Sequence, residues 1–238
     1  MLSALAAAAG AVVVVAPHPA AAATIPSQRF VRGIYCDFLF RDPTSQELSA
    51  WPAWLEQPGV SRGALTSSLV KSSEFSHTVV AKTFRQYFDR GPDVGGDAYW
   101  SAYVQRGGSI EDLEVNITAS DEYYQNAGRN NSGRYVDAIY RAILDRNPEP
   151  SGRSFWSNRL NAGGNRSDVA AAIVRSMEAS VLRVQDQFDY LLGRAPDPGG
   201  QAYWATLLTR GVPRTALAAS IASSDEYFQV VQTLTVCV

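Results

Sequence analysis

The chain has 238 residues, with 23 acidic and 21 basic side chains and a formal net charge of -2. That length suits one large domain or two small ones. Lys and Arg form no block anywhere, which excludes the electrostatic footprint of a nucleic-acid binder.

Leu2 to Ala16 is a run of small and apolar residues ending in Val12-Val13-Val14-Val15. Pro17 breaks it, and Ala20 to Thr24 offers an Ala-x-Ala cleavage site. A run this short reads as a secretory signal peptide over residues 1–23, cut after Ala23, although no basic segment precedes it. No later apolar run is long enough to span a bilayer as a helix. Export makes a disulfide chemically available to the only two cysteines, Cys36 and Cys237. Free thiols are the alternative, because sequence does not show that the two chain ends meet.

From Arg41 onward the chain repeats itself. Arg194-Ala195-Pro196-Asp197-Pro198-Gly199-Gly200 leads to Tyr203-Trp204, and Arg90-Gly91-Pro92-Asp93-Val94-Gly95-Gly96 leads to Tyr99-Trp100. Arg146 to Trp156 is a third copy, and Arg41-Asp42-Pro43 leading to Trp51 is a divergent first one. A Glu follows each Arg after 33 residues in the first copy (Glu74) and 32 in the others (Glu122, Glu178, Glu226). The period of about 50 residues marks a repeat architecture.

Each copy parses as three helices. The first carries an aromatic six residues before the Arg (Tyr35, Phe84, Tyr140, Phe188) and stops at the Pro two residues after it. The second opens at Asp93 or Asp197, whose carboxylates suit an N-cap, and sets Tyr99, Trp100 and Tyr103, or Tyr203 and Trp204, on one apolar face. The third ends in Ser-x-Glu-Phe/Tyr. No strand-type alternation persists, so the expected class is all-α: four tandem three-helix repeats arranged as two paired halves, 27–126 and 134–232. The Gly/Asn/Ser/Arg run between them, 127–133, reads as a linker by composition.

The phrase Arg-x-Pro-Asp-x-x-Gly-x-x-Tyr-Trp, followed by Ser-x-Glu-Phe/Tyr, resembles the bacterial family catalogued as domain of unknown function 4214. The resemblance covers nearly all of residues 30–229 and is strongest in copies two and four. It implies a helical fold similar to the linker domains of cyanobacterial light-harvesting antennae (phycobilisomes), in proteins often exported or on the cell surface. It implies no established activity and no catalytic residues.

The recurring Arg and Glu are expected to form structural ion pairs: Arg41 with Glu74, Arg90 with Glu122, Arg146 with Glu178, and Arg194 with Glu226. A catalytic pair present four times would be unusual, whereas a packing device is expected to recur in every repeat. Trp100, Trp156 and Trp204 have core spacing. Trp51 and Trp54, beside Pro52 and Pro58, are the better candidates for exposed, ligand-stacking rings. Asp93, Asp97, Asp197 and Glu149 lie in loops of the kind calcium favours, but without an EF-hand's density of carboxylates they read as caps. The mature chain has one histidine, His77, so a multi-histidine metal site is excluded and a Ser-His-Asp triad would have to use it. No catalytic residues, metal ligands or cofactor are expected. The expected function is a secreted, non-enzymatic helical module that binds or scaffolds an envelope or extracellular protein. The alternatives are a carbohydrate-binding module using Trp51 and Trp54, and a secreted glycan or cell-wall hydrolase. The groove between the two halves is one candidate working surface.

Overall fold

Side-chain caps set the helix boundaries. The computed structural model describes residues 25–233 and Cys237, so the leader reading on 1–23 lies outside the described residues. Among these residues the regular structure is helical throughout, with no strand. The helices of the first repeat are α1 (Ile25–Leu39), α2 (Ser45–Leu55) and α3 (Arg62–Val70). Then come α4 (Ser73–Phe88), α5 (Val94–Gln105), α6 (Ile110–Ala119), α7 (Asp121–Asn126) and α8 (Ser132–Leu144). The rest are α9 (Pro150–Asn161), α10 (Arg166–Val174), α11 (Met177–Leu192), α12 (Pro198–Thr209), α13 (Arg214–Ala222) and α14 (Asp225–Val230), with a 3-10 turn at Val231–Thr233.

The Ser-x-Glu phrase opens a helix; it does not close one. Ser72, Ser120, Ser176 and Ser224 are N-caps, and each Oγ accepts from the amide three residues on, at Phe75, Tyr123, Ala179 and Tyr227, all at 3.1 Å. Each hydroxyl satisfies one of the orphan amides of a helix start. The helices begun at Ser72 and Ser176 run unbroken into the next repeat's first helix, giving the 16-residue α4 and α11. After Ser120 the same helix is interrupted and becomes α7 and α8.

The interruption is the segment expected as a linker, and it is a tight, hydrogen-bonded turn. Arg129 and Asn130 take positive φ, and Asn131 caps α8 through the Arg134 amide at 3.0 Å. Gly128 is buried, and a Cβ there would come within 2.6 Å of the Tyr124 carbonyl oxygen. Gly and Asn are frequent here because a close turn needs them.

The hydrophobic core does not divide at this turn. One cluster takes Phe30, Ile34, Leu65, Val80 and Leu113 together with Val184, Leu217 and Tyr227. The other is built around Tyr123, Tyr135, Ile139 and Val169. Repeats one, two and four thus share a core, because both chain ends return to one place. The 3-10 turn crosses α1 at Gly33, where a Cβ would lie 2.5 Å from Val231 Cγ1. Arg29 Nη1 donates to the Gln232 carbonyl at 2.8 Å, and Tyr227 Oη to Asp37 Oδ2 at 2.6 Å. Cys36 and Cys237 are joined in a disulfide, their Cα atoms 5.2 Å apart across 201 positions of sequence. No helix among the described residues is long and apolar enough to cross a membrane.

A loop that long gives the disulfide a large effect on the unfolded chain, up to about 5 kcal/mol on the chain-entropy model. The double variant Cys36→Ser/Cys237→Ser is therefore expected to unfold at clearly lower denaturant concentration than the oxidised protein. Equilibrium urea unfolding measures this, and thiol titration of denatured, unreduced wild type should find no free thiol.

Candidate functional site

Every repeat carries the same bracket. Each first helix ends in a left-handed residue, with φ of 54° at Phe40, 55° at Asp89, 50° at Asp145 and 64° at Gly193. The next residue is the recurring Arg. Its Nη1 donates to the carbonyl of its own successor, Asp42, Gly91, Asn147 or Ala195, at 2.9–3.1 Å. Its Nε and Nη2 take both oxygens of the distant Glu. The Nη2 bonds measure 2.9 Å to Glu74, 2.7 Å to Glu122, 2.8 Å to Glu178 and 2.7 Å to Glu226. Each Glu lies in the first turn of its Ser-capped helix, where negative charge opposes the positive helix end.

The aromatic six residues before each Arg lies under its guanidinium. Arg41 is 5.0 Å from the Tyr35 ring centroid, Arg90 5.8 Å from Phe84, Arg146 5.3 Å from Tyr140, and Arg194 5.4 Å from Phe188. Every Arg fork is thus engaged in holding a turn.

The first bracket has an extra member that the repeat comparison missed. Glu47 accepts from Arg41 Nη1 and Nη2, both at 2.9 Å, and from the Thr44 amide at 2.7 Å. Thr44 and Glu47 form a capping box at the start of α2. Their Thr-x-x-Glu spacing was the available signal.

The tryptophans differ from expectation in one respect each. Trp51 and Trp54 are half-buried against the main core, with ring centroids 5.7 Å apart. Trp51 Nε1 donates to Tyr35 Oη at 2.7 Å, so this indole's polar handle is already used. The residues preceding Trp100, Trp156 and Trp204 are the exposed ones. Tyr99, Phe155 and Tyr203 are about three-fifths exposed and stand edge-on to those partly buried indoles. The second helix is short and lies on the surface, so it buries only one ring of each pair.

The loop acids are occupied. Asp93 and Asp197 accept from the Gly96 and Gly200 amides at 2.8 Å, and Glu149 Oε1 from Arg146 at 2.8 Å. Asp97 contacts His77 Nδ1 at 2.8 Å. Ser101 Oγ lies 3.1 Å from that same ring nitrogen and donates to Asp97 Oδ1. A nucleophilic triad needs Ser and Asp on opposite ring nitrogens, so this arrangement is a surface hydrogen-bond cluster. Cys36, Asp42 and Cys237 lie within 4.8 Å of one another, but the two sulfurs are bonded and offer no thiolate.

A concave feature lined by several of these helices lies elsewhere, between α1, α4, α11 and α13. It is a groove of about 360 Å³. Phe38, Phe75 and Leu191 form apolar walls, and Phe40 and Tyr190 are half-exposed within it. Arg183 and Arg214 line one side and are anchored from behind by Glu114. Arg183 Nη2 reaches Glu114 Oε2 at 2.7 Å, and Arg214 Nη2 reaches Oε1 at 2.9 Å. Burial pushes the Glu114 carboxyl up, but the two guanidiniums outweigh it and hold it below the usual range. Glu111 stands 3.5 Å from Arg214 Nε.

Lys82 on α4 and Asp186 on α11 also line this groove. Lys82 Nζ lies 4.1 Å from the Phe40 ring centroid and 5.9 Å from that of Tyr190. Among the described residues neither Lys82 nor Asp186 has an ion-pair partner, and Asp186 has no hydrogen bond. Burial, then the charge of Arg214, lowers the Lys82 pKa. Burial, then the charges of Asp189 and Asp145, raises that of Asp186 against the opposing pull of Arg183 and Arg214.

The two residues are 104 positions apart, so no local motif joins them. Yet each stands ten residues after its helix's capping Ser, Ser72 or Ser176. Overlaying the copies would have shown opposite charges at one repeat position, but only the fold shows that the two helices face one groove.

The family model described as Domain of unknown function (DUF4214) matches residues 114–182 and 184–231, from within α6 to the 3-10 turn. No curated protein and no solved structure matches the chain.

The brackets are unequal in exposure, and this sets their energetic rank. Arg194 and Glu226 are 43 % and 45 % exposed, whereas Arg41 is 31 % and Glu47 15 %. The loss of 3–5 kcal/mol that follows from breaking a buried pair does not apply to Arg194, where water solvates whichever partner remains. Arg41→Ala is expected to cost about 1.5–3 kcal/mol, the range for hydrogen bonds to charged groups. Arg194→Ala should cost distinctly less and leave the last repeat helical. Chemical denaturation monitored by circular dichroism ranks the two.

Burial raises the Glu47 carboxyl pKa, but Arg41 and the Thr44 amide override this and hold it at about 2, against an ordinary 4.5. A depressed folded-state pKa contributes stability that is present above about 4.5 and fades as pH falls toward about 2. The stability gap between wild type and Glu47→Gln should therefore close across that window. Melting curves at stepped pH measure it.

Proposed function

Over residues 114–231 the chain belongs to this family of unknown function, and from that premise we propose that the protein is an exported, non-enzymatic helical binding module of the cell envelope or extracellular space. The observation that carries the reading is the groove between α1, α4, α11 and α13, where an apolar aromatic lining meets the charged side chains of Lys82 and Asp186, neither in an ion pair among the described residues. Concave, mostly apolar sites with a few converging polar groups are the usual form of a recognition site. The surrounding brackets and the Cys36–Cys237 bond support a scaffold that holds its shape while something docks. A disulfide also suits an oxidising compartment outside the cytoplasm.

Two measurements test this. Mass spectrometry of the exported chain should place its first residue at Thr24. Immobilised mature protein should retain a partner from envelope or culture-medium fractions, and the double reversal Lys82→Glu/Asp186→Lys should lose it. Equal retention by both proteins would move the binding surface away from the groove. Retention of nothing by wild type would remove the binding-module reading.

A further inference from the structure

The two halves of the chain, 25–126 and 132–233, hold each other in the same way twice. Arg62, at the start of α3, pairs with Asp225 and lies 4.7 Å from the ring centroid of Phe228 on α14. Arg166, at the start of α10, pairs with Asp121 and lies 4.7 Å from the ring centroid of Tyr124 on α7. Arg62, Asp121 and Tyr124 in the first half each have their counterpart 104 positions later, at Arg166, Asp225 and Phe228. Whole helices follow the same exchange. The first half's α3 packs on the second half's α13, and the second half's α10 packs on the first half's α6. Each half therefore offers the other the surfaces it receives in return. That reciprocity is the mark of a two-fold interface between like subunits, here joined in one chain.

The join is the turn between α7 and α8. From capping Ser to bracket Arg is 18 positions across α4 (Ser72 to Arg90) and across α11 (Ser176 to Arg194), but 26 here (Ser120 to Arg146). The turn that takes up the extra residues holds Arg129 and Asn130 at φ of 50° and 54°, a region unfavourable to a side chain. It also needs a residue without a side chain at 128. A Cβ there would lie 2.6 Å from the Tyr124 carbonyl oxygen and 2.9 Å from Tyr135 Cβ. Short hinges under strain invite the exchange of halves between chains, because opening relieves the hinge and the interface re-forms unchanged. The main core draws on both halves, so each half needs a partner of this kind. The Cys36–Cys237 bond also joins one half to the other, and exchange would carry it between chains.

We propose that the interface between the halves also forms between two copies of this chain. Residues 25–126 of each copy pack on residues 132–233 of the other, the turn at 127–131 opens, and two Cys36–Cys237 bonds link the copies. Two copies meeting through an outer surface would keep each of those bonds within one chain.

Refolding the reduced, denatured mature chain in a glutathione buffer tests this, with oxidised glutathione accepting the two electrons and two protons of each disulfide. Dilute refolding should give monomer. Concentrated refolding should also give a dimer on gel filtration that stays linked in non-reducing electrophoresis and separates on reduction. The origin of the link is read by refolding Cys36→Ser and Cys237→Ser chains together. Each variant keeps one thiol, so exchanged halves cross-link unlike chains, whereas random collision also links like with like. Gly128→Ala obstructs the closed turn and should raise the dimer-to-monomer ratio about tenfold or more. Asn130→Gly suits the positive φ and should lower it. A Gly128→Ala chain that is helical by circular dichroism yet monomeric at high concentration would overturn the proposal. So would like-chain cross-links as frequent as unlike ones. If Gly128→Ala loses its helicity, the mixed cysteine variants, whose turn is unaltered, decide the matter by themselves.

Discussion

The rest of the architecture depends on an arginine that sits one residue beyond a left-handed turn and reaches back across its own repeat. Phe40, Asp89 and Asp145 adopt the left-handed conformation although each has a side chain, at a cost of about 1–2 kcal/mol per residue. What holds the turn is the fork that follows: two bonds to a glutamate, one to a carbonyl, and an aromatic ring beneath. Because that glutamate belongs to the next Ser-capped helix, the bracket ties the end of one repeat's first helix to the start of the following one. The second and third helices are held in the span between. A planar, five-donor guanidinium suits this task, and a lysine could not reproduce it.

A second layer of charge joins the repeats to one another. Glu111 and Glu114 come from α6, Arg183 from α11 and Arg214 from the start of α13. Their ion pairs lock helices from the second, third and fourth copies into one arrangement. The Tyr87 hydroxyl and both Glu111 oxygens are buried without a hydrogen bond, so the network is incompletely satisfied and costs desolvation energy. Where the chain ends meet, the disulfide, Gly33 and the Tyr227–Asp37 bond close the body. The groove arises from that closure. It needs α1 and α4 from one end of the chain, and α11 and α13 from the other, in the same neighbourhood.

The repeats differ in what their equivalent positions carry. Arg, Pro, cap and Trp recur because every copy needs them to fold. Lys82 and Asp186 occupy one repeat position with opposite charges, and both line the groove between α1, α4, α11 and α13. The equivalent position after Ser120 is Asn130, which falls in the turn between α7 and α8. The inserted residues there split a helix that is continuous in α4 and α11.

The sequence by itself determined the all-α class, the repeat register and the identity of the Arg and Glu partners, because those depend on spacings that internal copies make visible. It also determined the Asp93 and Asp197 caps, which act within three residues. Only the tertiary structure decided that 127–133 is a turn within a shared core, that Cys36 lies beside Cys237, and that Tyr99, Phe155 and Tyr203 stay in solvent. The same holds for the placing of Lys82 and Asp186 on one groove. The physical reason is range. Capping and periodicity act over one or two turns of helix and leave a mark in local spacing. The closure of one chain end on the other follows from packing among all four repeats, and no single stretch records it.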